Sequence, residues 1–101
     1  MKINTKRQEG IVTAELVGRL DTPASQEVGN DLLVLQNDAD KTIILDCKAL
    51  EYISSSGLRL FLTLRKAASQ KGGKVIVKNI NDDIRSVFMM TGFLNLFEIQ
   101  D

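Results

Sequence analysis

The sequence predicts an α/β fold: a mixed, mostly parallel sheet with an N-terminal hairpin, in the order β-β-α-β-α-β-α-β. Three observations carry this expectation. Short β-branched runs, such as Ile43-Ile44-Leu45 and Val75-Ile76-Val77, alternate with longer segments whose apolar residues recur at helical spacing. Turn and cap residues stand at the junctions, among them Gly10, Pro23, Asn81 and the pair Gly72-Gly73. Helices between strands imply parallel pairing through right-handed crossovers, whereas the first two strands are joined by a turn alone and pair antiparallel.

Along the chain, residues 2–7 alternate polar and β-prone side chains as an edge strand, and Gln8-Glu9-Gly10 is a turn in which Gly10 is free to take positive φ. Residues 11–17 form the second strand, followed by the loop Gly18-Arg19-Leu20-Asp21. Thr22 is a favoured N-cap with Pro23 at the first helical position, and a helix follows to about Gln36 with Val28, Leu32 and Leu35 on one face. The next strand is expected over residues 42–47, and a loop over 48–53 is anchored by Leu50 and Ile53. A second helix is expected from Ser56 to Gln70, with Leu58, Phe61, Leu62 and Arg65 at helical spacings, widened by Leu60, Leu64 and Ala67. A glycine after Lys71 supplies its left-handed cap. Residues 74–78 are a strand, Asn81 caps a third helix whose core face is Ile84, Val87 and Phe88, and a last strand is expected around residues 97–99.

Composition narrows the function. The 101 residues make one domain, 1–101, with 13 basic and 13 acidic side chains that cancel. A neutral chain lacks the basic footprint of a nucleic-acid binder. No apolar run is long enough to span a bilayer, and Met1 to Gly10 lacks the core of a signal peptide, so a cytoplasmic protein without membrane insertion is expected. With no histidine and one cysteine, neither a Ser-His-Asp triad nor a His- or Cys-based zinc site can be built, and no cofactor is implied. Cys47 reads as a small core side chain. Gly72-Gly73-Lys74 ends a helix instead of opening one and is no phosphate loop, and Asp82-Asp83 is a charge pair at a helix start.

The informative stretch is Ser54-Ser55-Ser56-Gly57, where a strand hands over to a helix. Capping a helix takes one serine. Three, followed by a glycine that admits another backbone, leave hydroxyls for a second purpose. A phosphate here meets unpaired N–H groups at the positive helix end, so modification is compatible with the fold. Asp21 is a turn or cap contact or part of the same edge. Arg59, one turn beyond Ser55, is a solvated surface arginine or a phosphate contact. Met89 and Met90 cannot both face the core, which leaves one for gap-filling or for a partner.

The run Asp46-Cys47-Lys48-Ala49-Leu50-Glu51-Tyr52-Ile53-Ser54-Ser55-Ser56-Gly57-Leu58-Arg59-Leu60 resembles the signature of STAS domains, specifically the bacterial anti-sigma factor antagonists. Gly18-Arg19-Leu20-Asp21 matches the family's G-x-L-D loop. Gly72-Gly73-Lys74-Val75 and Phe88-Met89-Met90-Thr91-Gly92-Phe93 match later segments in the same order. The resemblance implies a non-enzymatic binding module. It would bind an anti-sigma factor that is also a serine protein kinase, and so regulate sigma-dependent transcription. Phosphorylation at the start of this helix would break the complex, and a PP2C-type phosphatase would restore it. Laid on the family pattern D-S-S/T-G-L, the acceptor is Ser55, with Ser56 and Ser54 as alternatives. Ser56 takes the capping position, and Ser54 replaces the family's aspartate. The implied partner surface is Asp21, Ser54, Ser55, Ser56, Gly57 and Arg59. The other role open to such a domain is that of a separate subunit docking on a lipid transporter. A hydrolase built on Ser55 and a lysine lacks a base and an oxyanion site.

Overall fold

The computed structural model describes residues 1–100. Its strands are β1 (Lys2–Gln8), β2 (Ile11–Leu20), β3 (Thr42–Ile53), β4 (Lys74–Lys78) and β5 (Glu98–Gln100); its helices are α1 (Thr22–Leu33), α2 (Ser55–Lys71) and α3 (Asp82–Thr91). The element order is the expected one. One sheet holds the strands in chain order, β1-β2-β3-β4-β5, with β1–β2 antiparallel and every later pair parallel. Because spatial order follows chain order, right-handed crossovers put all the helices on the same face. Burial agrees: Val12, Ala14, Leu16, Ile43, Leu45, Val75 and Val77 lie in the core beneath the helices. Thr13, Glu15, Asp46 and Lys78 occupy the alternate, uncovered face.

Local chemistry explains the elements. Glu9 and Gly10 take φ of 49° and 78°, two successive left-handed residues that close the β1–β2 hairpin with the twist such ribbons favour. Gly72 and Gly92, at φ 82° and 77°, terminate α2 and α3. Phe61 of α2 and Phe88 of α3 meet Phe97 in a cluster of tilted and edge-on rings at 5.9–6.4 Å between centroids. Cys47 is buried, as expected, and burial followed by the nearby Asp46 charge pushes its thiol up to about 12.

Four expectations need correction. First, α1 stops at Leu33 and gives way to a 3-10 turn, Val34–Asp38, although Leu35 still reaches the core. Second, residues 18–20 and 48–53 are strand, not loop. They extend β2 and β3, with Gly18 opposite Leu50, Arg19 opposite Tyr52 and Leu20 opposite Ile53. Register shifts between Glu15 and Val17 and between Gly18 and Arg19 each insert an extra β3 residue. Such bulges destroy the period-two alternation by which a strand is recognised. Third, β5 begins at Glu98, because Phe97 turns inward to the aromatic cluster. Fourth, the buried stripe of α2 is Gly57, Leu58, Phe61, Leu64 and Ala68, so Leu62 and Arg65 flank the core instead of lining it.

The edge of the sheet where the parallel strands begin is closed tightly. Asp38 is buried and accepts hydrogen bonds from Arg7 at 3.0 and 3.3 Å and from Lys41 at 3.3 Å. The Arg7 bonds hold its carboxyl below the ordinary range, opposed by burial and helped by Lys41. A side chain on Gly73 would collide with the carbonyl oxygens of Ala39 and Lys41. Lys74 N–H donates to that Lys41 carbonyl at 3.2 Å, so backbone meets backbone here.

Candidate partner interface

The opposite edge is built differently. β4 leaves the sheet at Lys78, opposite Asp46, while β2 and β3 continue as a two-stranded ribbon to Leu20 and Ile53. The next residues, Asp21 and Ser54, leave the ladder side by side, and each caps a helix. Asp21 Oδ1 accepts the Ala24 N–H at 2.9 Å, and the Asp21 carbonyl accepts Ser25 Oγ–H at 2.8 Å. Ser54 N–H donates to the Leu20 carbonyl at 2.9 Å, and Ser54 Oγ accepts the Gly57 N–H at 3.2 Å. Asn81 completes the set: its Oδ1 accepts the Ile84 N–H at 2.8 Å, and its Nδ2 donates to the Leu50 carbonyl of the ribbon at 3.3 Å. All the α-helices therefore begin at one edge, with their positive ends turned the same way.

This geometry redistributes the roles of the serines. Ser54, not Ser56, is the N-cap: the ladder runs through Ile53, so Ser54 is the first residue past it, in an extended conformation at φ −90° and ψ 171°. It is 8% exposed, and its hydroxyl is engaged. Ser55 is the first residue of α2 and is exposed; Ser56 follows half-buried. In the same way Asp21, not Thr22, caps α1, and Thr22 is its first residue. Aspartate and serine are both preferred N-caps, so Ser54 can stand where the resembling signature has aspartate without loss of the cap.

Gly57 is buried. A side chain there would lie 2.8 Å from Leu20 Cγ and 2.9 Å from Ile53 Cγ1. The close approach it permits is therefore that of two core side chains of the ribbon, not of another backbone. Arg59 is exposed one turn along α2. Met89 and Met90 are 61% and 86% exposed, so neither enters the core.

One pair escaped sequence reasoning. Arg19 and Tyr52 face each other across the ribbon, with the guanidinium carbon 4.7 Å from the ring centroid. Each is an ordinary surface residue until the bulged register sets them opposite. Among the described residues no cluster of His, Cys, Asp or Glu is arranged to hold a metal ion, and no helix is long and apolar enough to cross a membrane.

Comparison with known proteins agrees with this architecture. The family model for the STAS domain matches residues 2–101. The anti-sigma F factor antagonist of Paenibacillus polymyxa is 28% identical over 102 residues, covering 100% of this chain and 87% of that protein. The anti-sigma-B factor antagonist of Staphylococcus aureus is 25% identical over 101 residues, covering 100% and 94%. The anti-sigma factor antagonist SpoIIAA has been solved in unphosphorylated form and, from Bacillus, in phosphorylated form. These structures superpose with TM-scores of 0.75 and 0.74 at 22% identity, over 99% of this chain and 88% and 91% of theirs. Sequence signature, sheet order and relatives converge: the chain belongs to the STAS domain family.

Proposed function

We propose that this protein antagonises an anti-sigma factor by binding it through the edge that carries Asp21, Ser55 and Arg59, and that phosphorylation of Ser55 ends the complex. The observation that carries the reading is the unequal placement of the three consecutive serines: of these Ser55 alone is exposed, while Ser54 is buried in the cap and Ser56 is half-buried. A phosphate on Ser55 would add about 1.5 to 2 negative charges at the surface without disturbing the hydrogen bond that starts α2. The N–H groups of the first turn and the helix dipole tolerate an anion there, so the domain stays folded while its binding surface becomes negative. The existence of a phosphorylated form of SpoIIAA supports a switch of this kind.

The kinase is the bound anti-sigma factor itself, a PP2C-type phosphatase resets the switch, and the cycle runs in the cytoplasm to control sigma-dependent transcription. Gly57 and Ser54 serve this surface from beneath by fixing the first turn of α2 against Leu20 and Ile53. Ser56, half-buried, borders it. The antagonist relatives favour this reading over docking on a lipid transporter.

The test is isothermal titration of the purified anti-sigma kinases of the source organism with wild type and Ser55→Glu. One kinase is expected to bind wild type and to lose Ser55→Glu, whose thermal melting stays unchanged. Equal affinity for both forms would contradict the switch.

A further inference from the structure

The ribbon that delivers Asp21 and Ser54 also carries the stacked pair Arg19 and Tyr52, each two residues before its cap. The pair borders a groove of about 260 Å³ between the ribbon and α3, in which Glu51 and Asp83 supply charge and Ile84 and Val87 supply apolar surface. Tyr52 is 39% exposed although it follows the buried Leu50 and precedes the buried Ile53, because the bulged register turns it outward. Arg19 is exposed, and among the described residues its side chain joins no ion pair and donates no hydrogen bond, although Glu51 and Asp83 line the same groove.

Stacking engages the face of a guanidinium and leaves its edge, with the N–H donors, turned outward. Holding the arginine on the ring also removes much of the ordering cost of using it. An exposed aromatic beside a pre-ordered arginine is the composition of an interface anchor. We infer that Arg19 and Tyr52 form the partner-selecting anchor of this edge, and that the group seated on it is a carboxylate of the anti-sigma partner. A carboxylate fits the planar fork of the guanidinium with two parallel hydrogen bonds. Glu51 and Asp83 repel an acidic group placed anywhere else in the groove, which fixes the register of docking.

The inference rests on the proposed function and explains the sign of its switch. A partner that presents an acidic group at Tyr52, three residues before Ser55, is repelled when that serine gains a phosphate. The chemistry thus runs in one direction: the cationic anchor attracts, and the modification opposes.

The experiment titrates the same anti-sigma kinase with wild type, Ser55→Glu, Arg19→Ala, Arg19→Lys, Tyr52→Phe and Tyr52→Ala, at low and high salt. Arg19→Ala is expected to weaken binding by about 30-fold or more and to flatten its salt dependence. Arg19→Lys falls between, because it keeps the charge and loses the fork. Tyr52→Phe stays close to wild type, whereas Tyr52→Ala weakens binding by about 10-fold. Both sites are on the surface, so melting temperatures serve as the folding control. Arg19→Ala within about twofold of wild type would overturn the anchor while leaving the Ser55 switch intact. A loss of affinity with unchanged salt dependence would overturn the carboxylate. Loss in Arg19→Ala with full binding of Ser55→Glu would keep the anchor and overturn the switch, and no binding by wild type overturns both.

Discussion

The two ends of the sheet do opposite things with the same kinds of groups. Where the parallel strands begin, polar groups are used up within the domain. Asp38 is buried between Arg7 and Lys41, and Gly73 lets β4 lie against the backbone of Ala39 and Lys41. Where β2 and β3 end, Asp21, Ser54 and Asn81 each satisfy one helix, and the residues just after two of them, Thr22 and Ser55, are left facing solvent. One edge is closed by internal contacts. The other is held still from beneath and kept open above. The difference shows how a small domain can carry a covalent switch: the modified hydroxyl lies next to the cap but is not the cap.

Mutations at the two edges should therefore separate stability from binding. The largest effect is expected from Gly73→Ala. Its new methyl group strikes backbone that cannot swing aside, and equilibrium denaturation should show a loss of about 3 kcal/mol. Affinity for the partner, measured where the variant is still folded, should be retained. Asp38→Ala should cost about 2 kcal/mol, because it removes charge-assisted bonds to two cations.

The Asp38 prediction has a pH signature. The folded-state carboxyl titrates below an unfolded one, at about 3.9, so its contribution is fully present above that value. It disappears as pH falls through the folded-state pKa. Acid melts of wild type and Asp38→Ala should accordingly differ fully above pH about 5 and draw together as pH falls below about 3.9 towards the lowered folded-state pKa.

At the opposite edge, Ser54→Ala should cost about 1 kcal/mol through loss of the α2 cap, with Ser54→Asp retaining most of the stability. Ser55→Ala should change stability by less than about 0.5 kcal/mol, since the hydroxyl is exposed and caps nothing. If the two serine variants melted alike, the division of labour between them would be gone.

The element order and the parallel character of the sheet were legible because each depends on local pattern. Ile43-Ile44-Leu45 and Val75-Ile76-Val77 read as strands wherever they pack, and Asn81 and the glycine after Lys71 end helices by backbone chemistry alone. What could not be read depends on register. The β2–β3 ribbon is hidden by its bulges, since Lys48-Ala49 and Glu51-Tyr52 each place two exposed residues in a row. Without that extension a local rule places the N-caps too late, at Thr22 instead of Asp21 and at Ser56 instead of Ser54. A cap is defined by where the preceding strand stops, and three consecutive serines offer three equal candidates to a local rule. The stacking of Arg19 on Tyr52 and the collision that forbids a side chain at Gly73 are likewise contacts between segments far apart in sequence. Residue chemistry at the site was legible; its assignment to particular serines was a matter of tertiary structure.

The most direct test of that assignment is site-resolved mass spectrometry after incubation with the cognate anti-sigma kinase and ATP. Wild type is expected to gain a single phosphate on Ser55, Ser55→Ala to gain none, and Ser54→Asp to gain it on Ser55 as wild type does. A phosphate on Ser54 or Ser56 of the wild-type protein would contradict the account, because it would place the switch in the cap or behind it.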